Sequence, residues 1–412
     1  MLTKRAELAG LLMLVLFLLV LSCGKDNPEN PNIDPVASFT VSPAAGTTDT
    51  LFHFDASGCS DAEDTPASLQ VRWDWENDGT WDTQWSAMKT ADHQYGTAGT
   101  KTIKLSVKDT DGLTDDTTGT VTVVGPFETP EMVLVPAGIF IMGDGSAFCG
   151  TDQRQVTLTH SFYLGKYEVT NNEYRDALQW AYGNGHVTAT SDSVNDNLDG
   201  STALLVDLAS SYCQISFSGG VFTVDPGKES YPMVEVSWYG AVAYCDWISL
   251  AEGKTRAYDH STWQCTGGNP YTTVGYRLPT DAEWEYATQY GGERLYPWGN
   301  EAPDCSRANC HVGGDCVGHT SVVGSYPGAP AVVADSLYDM AGNVWEWCND
   351  WHTCDLGTEP VVDPQGPASG TYRAQRGGSW ERSFDDLLCA SRVYDFPSLT
   401  DSHNGFRCAR SQ

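Results

Sequence analysis

The chain changes texture near residue 125, and that break limits its folds more than any other feature. Before it, short apolar runs follow one another at close, regular spacing: VASFTV, LFHFDAS, LQVRWDWE, TKTIKLSVKD and GTVTVV. A strand turns successive side chains to opposite faces. Ile103, Leu105 and Val107 therefore share one face, and Lys104, Ser106 and Lys108 the other. Several such runs between turn clusters, with no helical period, predict an antiparallel β-sandwich over residues 35–125. WDWENDGTWD adds a tight Asn-Asp-Gly turn between tryptophans that can close a core. From about Glu131 the alternation is lost, and long segments rich in Gly, Trp and Cys take over. Three helix starts interrupt them. Thr170 with Glu173 forms a capping box before EYRDALQWAYG. Ser237 caps WYGAVAYCDWISLAEG, with Gly253 just past its end. Thr280 with Glu283 opens EWEYATQY. So much loop needs fasteners, and disulfides, bound ions and the chain's 14 tryptophans are the candidates.

The first residues set the expected compartment. Lys4 and Arg5 precede an apolar run from Leu8 to Leu21, then Ser22 and Cys23. This reads as a secretory signal over residues 1–22. As a membrane anchor, the run is short of the ~20 residues that span a bilayer. The ending VLSC resembles the lipobox of bacterial lipoproteins, which makes Cys23 the expected lipidation site, although Leu21 is large for its place there. GKDNPENPNIDP then reads as a flexible tether over residues 23–34. The chain is thus expected to be exported and held on a membrane, at the outer membrane or cell surface. With 54 acidic and 23 basic residues the net charge is -31, which argues against nucleic acid as a partner and favours cations. In an oxidising compartment the 13 cysteines read first as disulfides, with Cys59 alone in the N-terminal third. Cys348 and Cys354 are near enough in sequence to bridge, while Cys149, Cys213 and Cys265 carry no pairing signal.

FDASGCSDAED, RWDWENDGTWD and VKDTDG make the first region similar to a PKD-type immunoglobulin-like domain. That resemblance implies a spacer or adhesion module; of its turn acids Asp61, Asp64 and Asp78, solvation is expected rather than calcium. Residues 130–412 carry an ordered set: MVLVPAGIFIMG, YLGKYEVTNNEY, VSWYGAVAYCDW, YRLPTDAEWEYA with YPWGN, LYDMAGNVWEW, RGGSW and NGFRCAR. Together these resemble the formylglycine-generating enzyme (sulfatase-modifying factor) family, which implies an α+β, loop-rich, C-type-lectin-like fold.

The family's enzymes oxidise a substrate cysteine with oxygen, using two active-site cysteines that can hold copper; thiolates suit Cu(I). Counting from Ser379, the family's two cysteine places fall on Arg382 and Leu387. Cys389, followed by Ala-Ser-Arg, matches a structural family cysteine whose partner place is Ala287. Copper is therefore not expected. The resemblance implies calcium at Asp339 and Glu346 with the Gly342 and Val344 carbonyls, and a second ion at Asn309 and Asp315 with the Cys310 and Val317 carbonyls. It also implies a Cys245–Cys408 disulfide, and a substrate pocket around Trp345, Ser379 and Arg382. Trp347 and Trp380 are expected in the core.

Other chemistries find little support. The nine histidines are scattered without an HExxH cluster. Ser379 lies in no nucleophile elbow. The leading expectation is a surface-anchored lipoprotein whose second domain is a binding or structural module for a protein, peptide or glycan. An oxidoreductase of the same family using other residues is the alternative. A further one is a diversified ligand-binding receptor that varies ERSFDDLLCASRVYDFPSLTDSHN.

Overall fold

The computed structural model describes residues 32–125, 129–143, 153–289, 292, 294–311, 313–326 and 337–412. The signal segment, Cys23 and most of the tether lie outside the described residues, as does Cys149.

Residues 36–124 form the expected sandwich. One sheet orders the strands Thr40–Ser42, Phe52–Asp55 and Thr90–His93. The other orders Ala45–Thr47, Thr114–Val124, Gly99–Lys108 and Gln70–Asp74. The alternation of TKTIKLSVKD works as read: Ile103, Leu105 and Val107 are fully buried. Ser106 is buried too, on the opposite face, because Asp116 of the paired strand covers it. Trp73 and Trp75 stack at 5.2 Å in the core beside Phe54, whereas Trp81 lies under the Arg72 guanidinium at 3.9 Å. The turn acids serve their own loops: Asp61 accepts the amides of Glu63 and Asp64, Asp64 that of Thr110, and Asp78 that of Thr80.

Among the described residues, the second domain is built on three α-helices, α1 (Asn171–Gly183), α2 (Trp238–Ala251) and α3 (Asp281–Gln289). Each begins where its cap is written. Thr170 and Glu173 satisfy each other's amides in a full capping box. Ser237 Oγ accepts the Gly240 amide, and Gly253 follows the end of α2 at φ 71°. Thr280 and Glu283 repeat the box at α3. Nearly every residue of α2 is buried, so it forms the centre of the larger core; Tyr244 stacks on Tyr174 of α1 at 5.5 Å. The one acid within it, Asp246, is held by His260, whose other nitrogen reaches Asp196 at 2.9 Å. All three side chains are fully enclosed and clip the 187–207 hairpins to the core.

Two four-stranded sheets complete the frame. In one, Ala409–Ser411 lies between Tyr276–Arg277 and Phe162–Gly165, with Met132–Val135 beyond. In the other, Trp345–Trp351 runs between Arg373–Arg376 and Asn404–Gly405, with Val393–Asp395 outside.

The fasteners differ from those anticipated. Cys305 and Cys316 form a disulfide. Cys354 is disulfide-bonded, but not to Cys348, which is a free buried thiol; the anticipated Cys348–Cys354 bridge is corrected on this point. Its sulfur points into the core, where β-strand 345–351 is covered on both faces. Cys245 and Cys408 meet as free buried thiols with their sulfurs 3.6 Å apart. Much of the remaining fastening is ionic. Arg277 pairs with Glu283, Arg376 with Asp281 and Glu285, Arg392 with Asp281, and Arg407 with Glu346, every partner almost fully buried. Removing one member of such a pair costs about 3–5 kcal/mol, because the other is stranded without water.

Candidate functional site

The site is assembled from the GNVWE loop, the RGGSW turn and the segment 401–405. The Gly342 amide donates to the Gly377 carbonyl at 2.8 Å, and the Trp380 amide to the Asn343 carbonyl at 2.9 Å. Trp345 pairs with Asn404 in a parallel ladder, and its amide donates to the His403 carbonyl. Glycine is required at two places. Gly378 has φ 80°, and a Cβ there would stand 2.7 Å from the Leu387 side chain. Gly342 has φ 79°, and its Cβ would stand 2.3 Å from the Asn309 carbonyl oxygen.

Around this junction Trp345 is 2% exposed, and Ser379 Oγ is buried without a partner. Both amide atoms of Asn404 are likewise buried and unpartnered. Buried polar groups are normally paired, so three orphans in one neighbourhood mark a place for a polar guest. Towards the surface, His403 Nδ1 lies 2.9 Å from Asp401 and 3.5 Å from Glu381, while Arg382 is about half exposed beside Glu381. The structure thus brings Trp345, Ser379 and Arg382 to one region. Asn404, His403 and Glu381 join them; all three lie in the interval ERSFDDLLCASRVYDFPSLTDSHN, and Asn404 also in the motif NGFRCAR.

Sulfur is arranged differently from a copper pair. Arg382 is half exposed and Leu387 is buried under the glycine turn. Cys389 is a free thiol, 1% exposed, whose amide donates to the Leu295 carbonyl. Burial, then the Glu285 carboxylate, pushes that thiol far up, which removes its nucleophilic form. Among the described residues, the two free sulfurs found in contact are those of Cys245 and Cys408, both fully enclosed in the core.

The carboxylates assigned to calcium have protein partners. Glu346 holds Arg407 through both oxygens at 2.7 Å and also accepts Trp284 Nε1 at 2.7 Å. Asp339 accepts the amides of Gly324 and Tyr326. Glu168, which the sequence reading missed, accepts Asn343 Nδ2 at 2.6 Å and the Val344 amide at 3.3 Å. Three buried carboxylates thus surround one guanidinium. Burial, then the neighbouring carboxylates, drives Glu168 well above the usual range; burial pushes Asp339 up to about 6. This surplus of buried carboxyl groups over guanidinium, beside the Gly342 and Val344 backbone, fits a hard cation. The second set is split. Asn309 is buried with Oδ1 unpartnered, but Asp315 is half exposed and paired with His311 at 2.5 Å. The Cys310 carbonyl accepts the Cys316 amide, and Val317 is exposed. Asn309 and Asp315 thus have different surroundings, the Cys305–Cys316 disulfide and the His311 pair fixing the loop that carries Asp315.

Comparison with known proteins agrees with this architecture. Residues 120–412 match the sulfatase-modifying factor enzyme 1-like domain, and residues 32–124 match the PKD domain. The formylglycine-generating enzyme of Thermomonospora curvata is 32% identical over 310 residues, covering 68% of this chain and 92% of that protein. A serine/threonine-protein kinase, pkn1, of Chlamydia pneumoniae is 35% identical over 287 residues. That match covers 68% of this chain, and the chain spans only 38% of the kinase's length. Among solved structures, Treponema denticola variable protein 1 aligns with a TM-score of 0.50 at 24% identity, covering 68% of this chain and 95% of that one, a likeness of fold. The ordered motifs, the fold and the matched span together place the chain in the sulfatase-modifying factor enzyme 1-like (formylglycine-generating-enzyme-like) family, with a PKD domain ahead of the family domain.

Proposed function

We propose that this chain is an exported lipoprotein, anchored through Cys23, in which the PKD domain spaces a formylglycine-generating-enzyme-like domain that binds a protein, peptide or glycan. The observation that carries the reading is the replacement of the family's thiol pair by Arg382 and Leu387, with Cys389 buried as a lone neutral thiol. Trp345, Ser379 and Asn404 would then meet the guest, and Arg382, His403 and Glu381 would select it towards the surface. Calcium belongs to the same reading: the surplus of buried carboxyl groups at Glu168, Asp339 and Glu346 around Arg407 supports one ion, held with the Gly342 and Val344 carbonyls. The outer membrane or cell surface is the proposed location, and metabolic labelling with a radiolabelled fatty acid, lost on Cys23→Ser, tests the anchor.

The test of function is to incubate purified protein, loaded with copper, with a cysteine-containing sulfatase peptide under oxygen. Unchanged peptide is expected; conversion of its cysteine to an aldehyde would overturn the reading. A second reading, an oxidoreductase using other residues, is favoured by one observation, the buried and unpartnered Ser379 hydroxyl beside the unpartnered Asn404 amide. It requires turnover that Ser379→Ala abolishes.

A further inference from the structure

Five arginines of the second domain are buried: Arg277, Arg373, Arg376, Arg392 and Arg407. Four hold a carboxylate in an ion pair. Arg373 does not. Its guanidinium carbon lies 3.6 Å from the ring centroids of both Trp238 and Trp351, so aromatic rings cover its two faces. Its edge is poorly used. Nη1 donates to the Asn349 carbonyl at 2.6 Å, Nη2 only reaches the Trp263 carbonyl at 3.5 Å, and Nε is buried with no acceptor. A guanidinium carries five N–H donors in a planar fork shaped for a carboxylate. Burial brings Arg373 down to about 10, so it is still cationic at neutral pH. The acid whose charge it feels, Asp350, gives one oxygen to the Asp281 amide and is itself pushed up to about 7 by burial and then Asp281.

The same side chain lines a cavity of about 470 Å³. Its other walls mix apolar groups, Trp351, Val361, Pro364 and Pro367, with the amides of Gln264, Asn349 and Gln365 and the Asp363 carboxylate, which the Thr159 amide and hydroxyl already occupy. This volume lies in the range of pockets that take small organic ligands. The cavity is separate from the Trp345 region. On the paired strands, Trp351 faces Arg373 at one end, while Glu346 faces Arg376 toward the other.

We infer that this cavity binds an organic carboxylate, its charge on the edge of Arg373 and its apolar body against Trp351, Val361 and Pro364. A cation stripped of water and given no internal counter-ion is costly, and a guest carboxylate supplies the missing partner. The inference goes beyond the proposed function and does not depend on it, since a positive copper assay leaves it untouched. Two sources carry this chemistry, a free aryl or branched acid and the C-terminal carboxylate of a peptide ending in an apolar residue.

The test is isothermal titration calorimetry on the full chain with four probes: phenylacetate, phenylacetamide, and a tripeptide ending in phenylalanine as its free acid and as its amide. At least one acid is expected to bind saturably, and its amide, of the same shape but uncharged, roughly tenfold or more weakly. The acid that binds identifies the source. Arg373→Gln is expected to remove that preference; because it breaks a buried sandwich, the acid–amide comparison on the unaltered protein stands as the primary readout. Equal binding of an acid and its amide, or no saturable heat from either acid at millimolar concentration, overturns the inference.

Discussion

His260 offers the sharpest test of how the second domain is held. It sits between Asp196 and Asp246 with every side chain enclosed. Burial opposes charge on the imidazole, but the two carboxylate hydrogen bonds outweigh it and push its pKa up from 6.5 to about 9. A group whose pKa is raised on folding stabilises the fold fully below its unfolded value, and that contribution fades as pH climbs through the folded one. The window here therefore opens near 6.5 and closes near 9. At ~1.4 kcal/mol per unit, the shift is worth about 3 kcal/mol, an order-of-magnitude figure. The perturbation is His260→Gln, compared with the parent by urea unfolding followed by near-ultraviolet circular dichroism. Taking the difference cancels titrations common to both proteins. The parent should exceed the variant by about 3 kcal/mol more near pH 6 than near pH 10. A gap that stays level across that range would refute the charged Asp-His-Asp clip and make His260 a neutral packing residue.

Asp281→Asn should cost about 3–5 kcal/mol in the same assay, because Arg392 loses its carboxylate and Arg376 is left with Glu285 alone; a loss under about 1 kcal/mol would contradict the buried network. Gly342→Ala should lower stability by about 2 kcal/mol or more through positive φ and the Asn309 carbonyl, whereas Gly253→Ala, which meets no neighbouring atom, should cost only the strain of its positive φ. Calcium should raise the thermal midpoint of chelator-treated protein, by an amount equivalent to about 2.7 kcal/mol at a hundredfold excess over its dissociation constant; an identical midpoint in EGTA would remove the ion. Thiol titration of protein from an oxidising compartment, denatured without reductant, decides Cys245 and Cys408. If they close there, Cys245→Ser raises the count by one; if they stay reduced, it lowers it by one.

Local signals were the readable part of this fold. Capping pairs act over three residues, and strand alternation acts over two, so both could be read without partners. Motif order carried the second domain. What escaped were relations set by three dimensions. Glu168 lies in YEVT, far from Asn343 in sequence, and nothing in either segment announces their hydrogen bond. Cys348 and Cys354 look close along the chain, yet the strand Trp345–Trp351 turns the Cys348 sulfur into the core, while Cys354, beyond its end, is bridged elsewhere. Arg373 looks like any strand arginine until its neighbours are counted in space. Buried charge was the hardest feature to foresee, because a carboxylate is placed inside only by the guanidinium that meets it there.

The strand Ala409–Ser411 occupies an inner position, hydrogen-bonded on one side to Phe162–Gly165 and on the other to Tyr276–Arg277. Phe162 therefore waits for Ser411, a contact spanning nearly the whole domain. During synthesis both flanking strands stand with raw edges until this segment emerges, so closure is a late event and slow by topology. A translation product stopped before residue 409 would present two unpaired edges to any neighbouring chain.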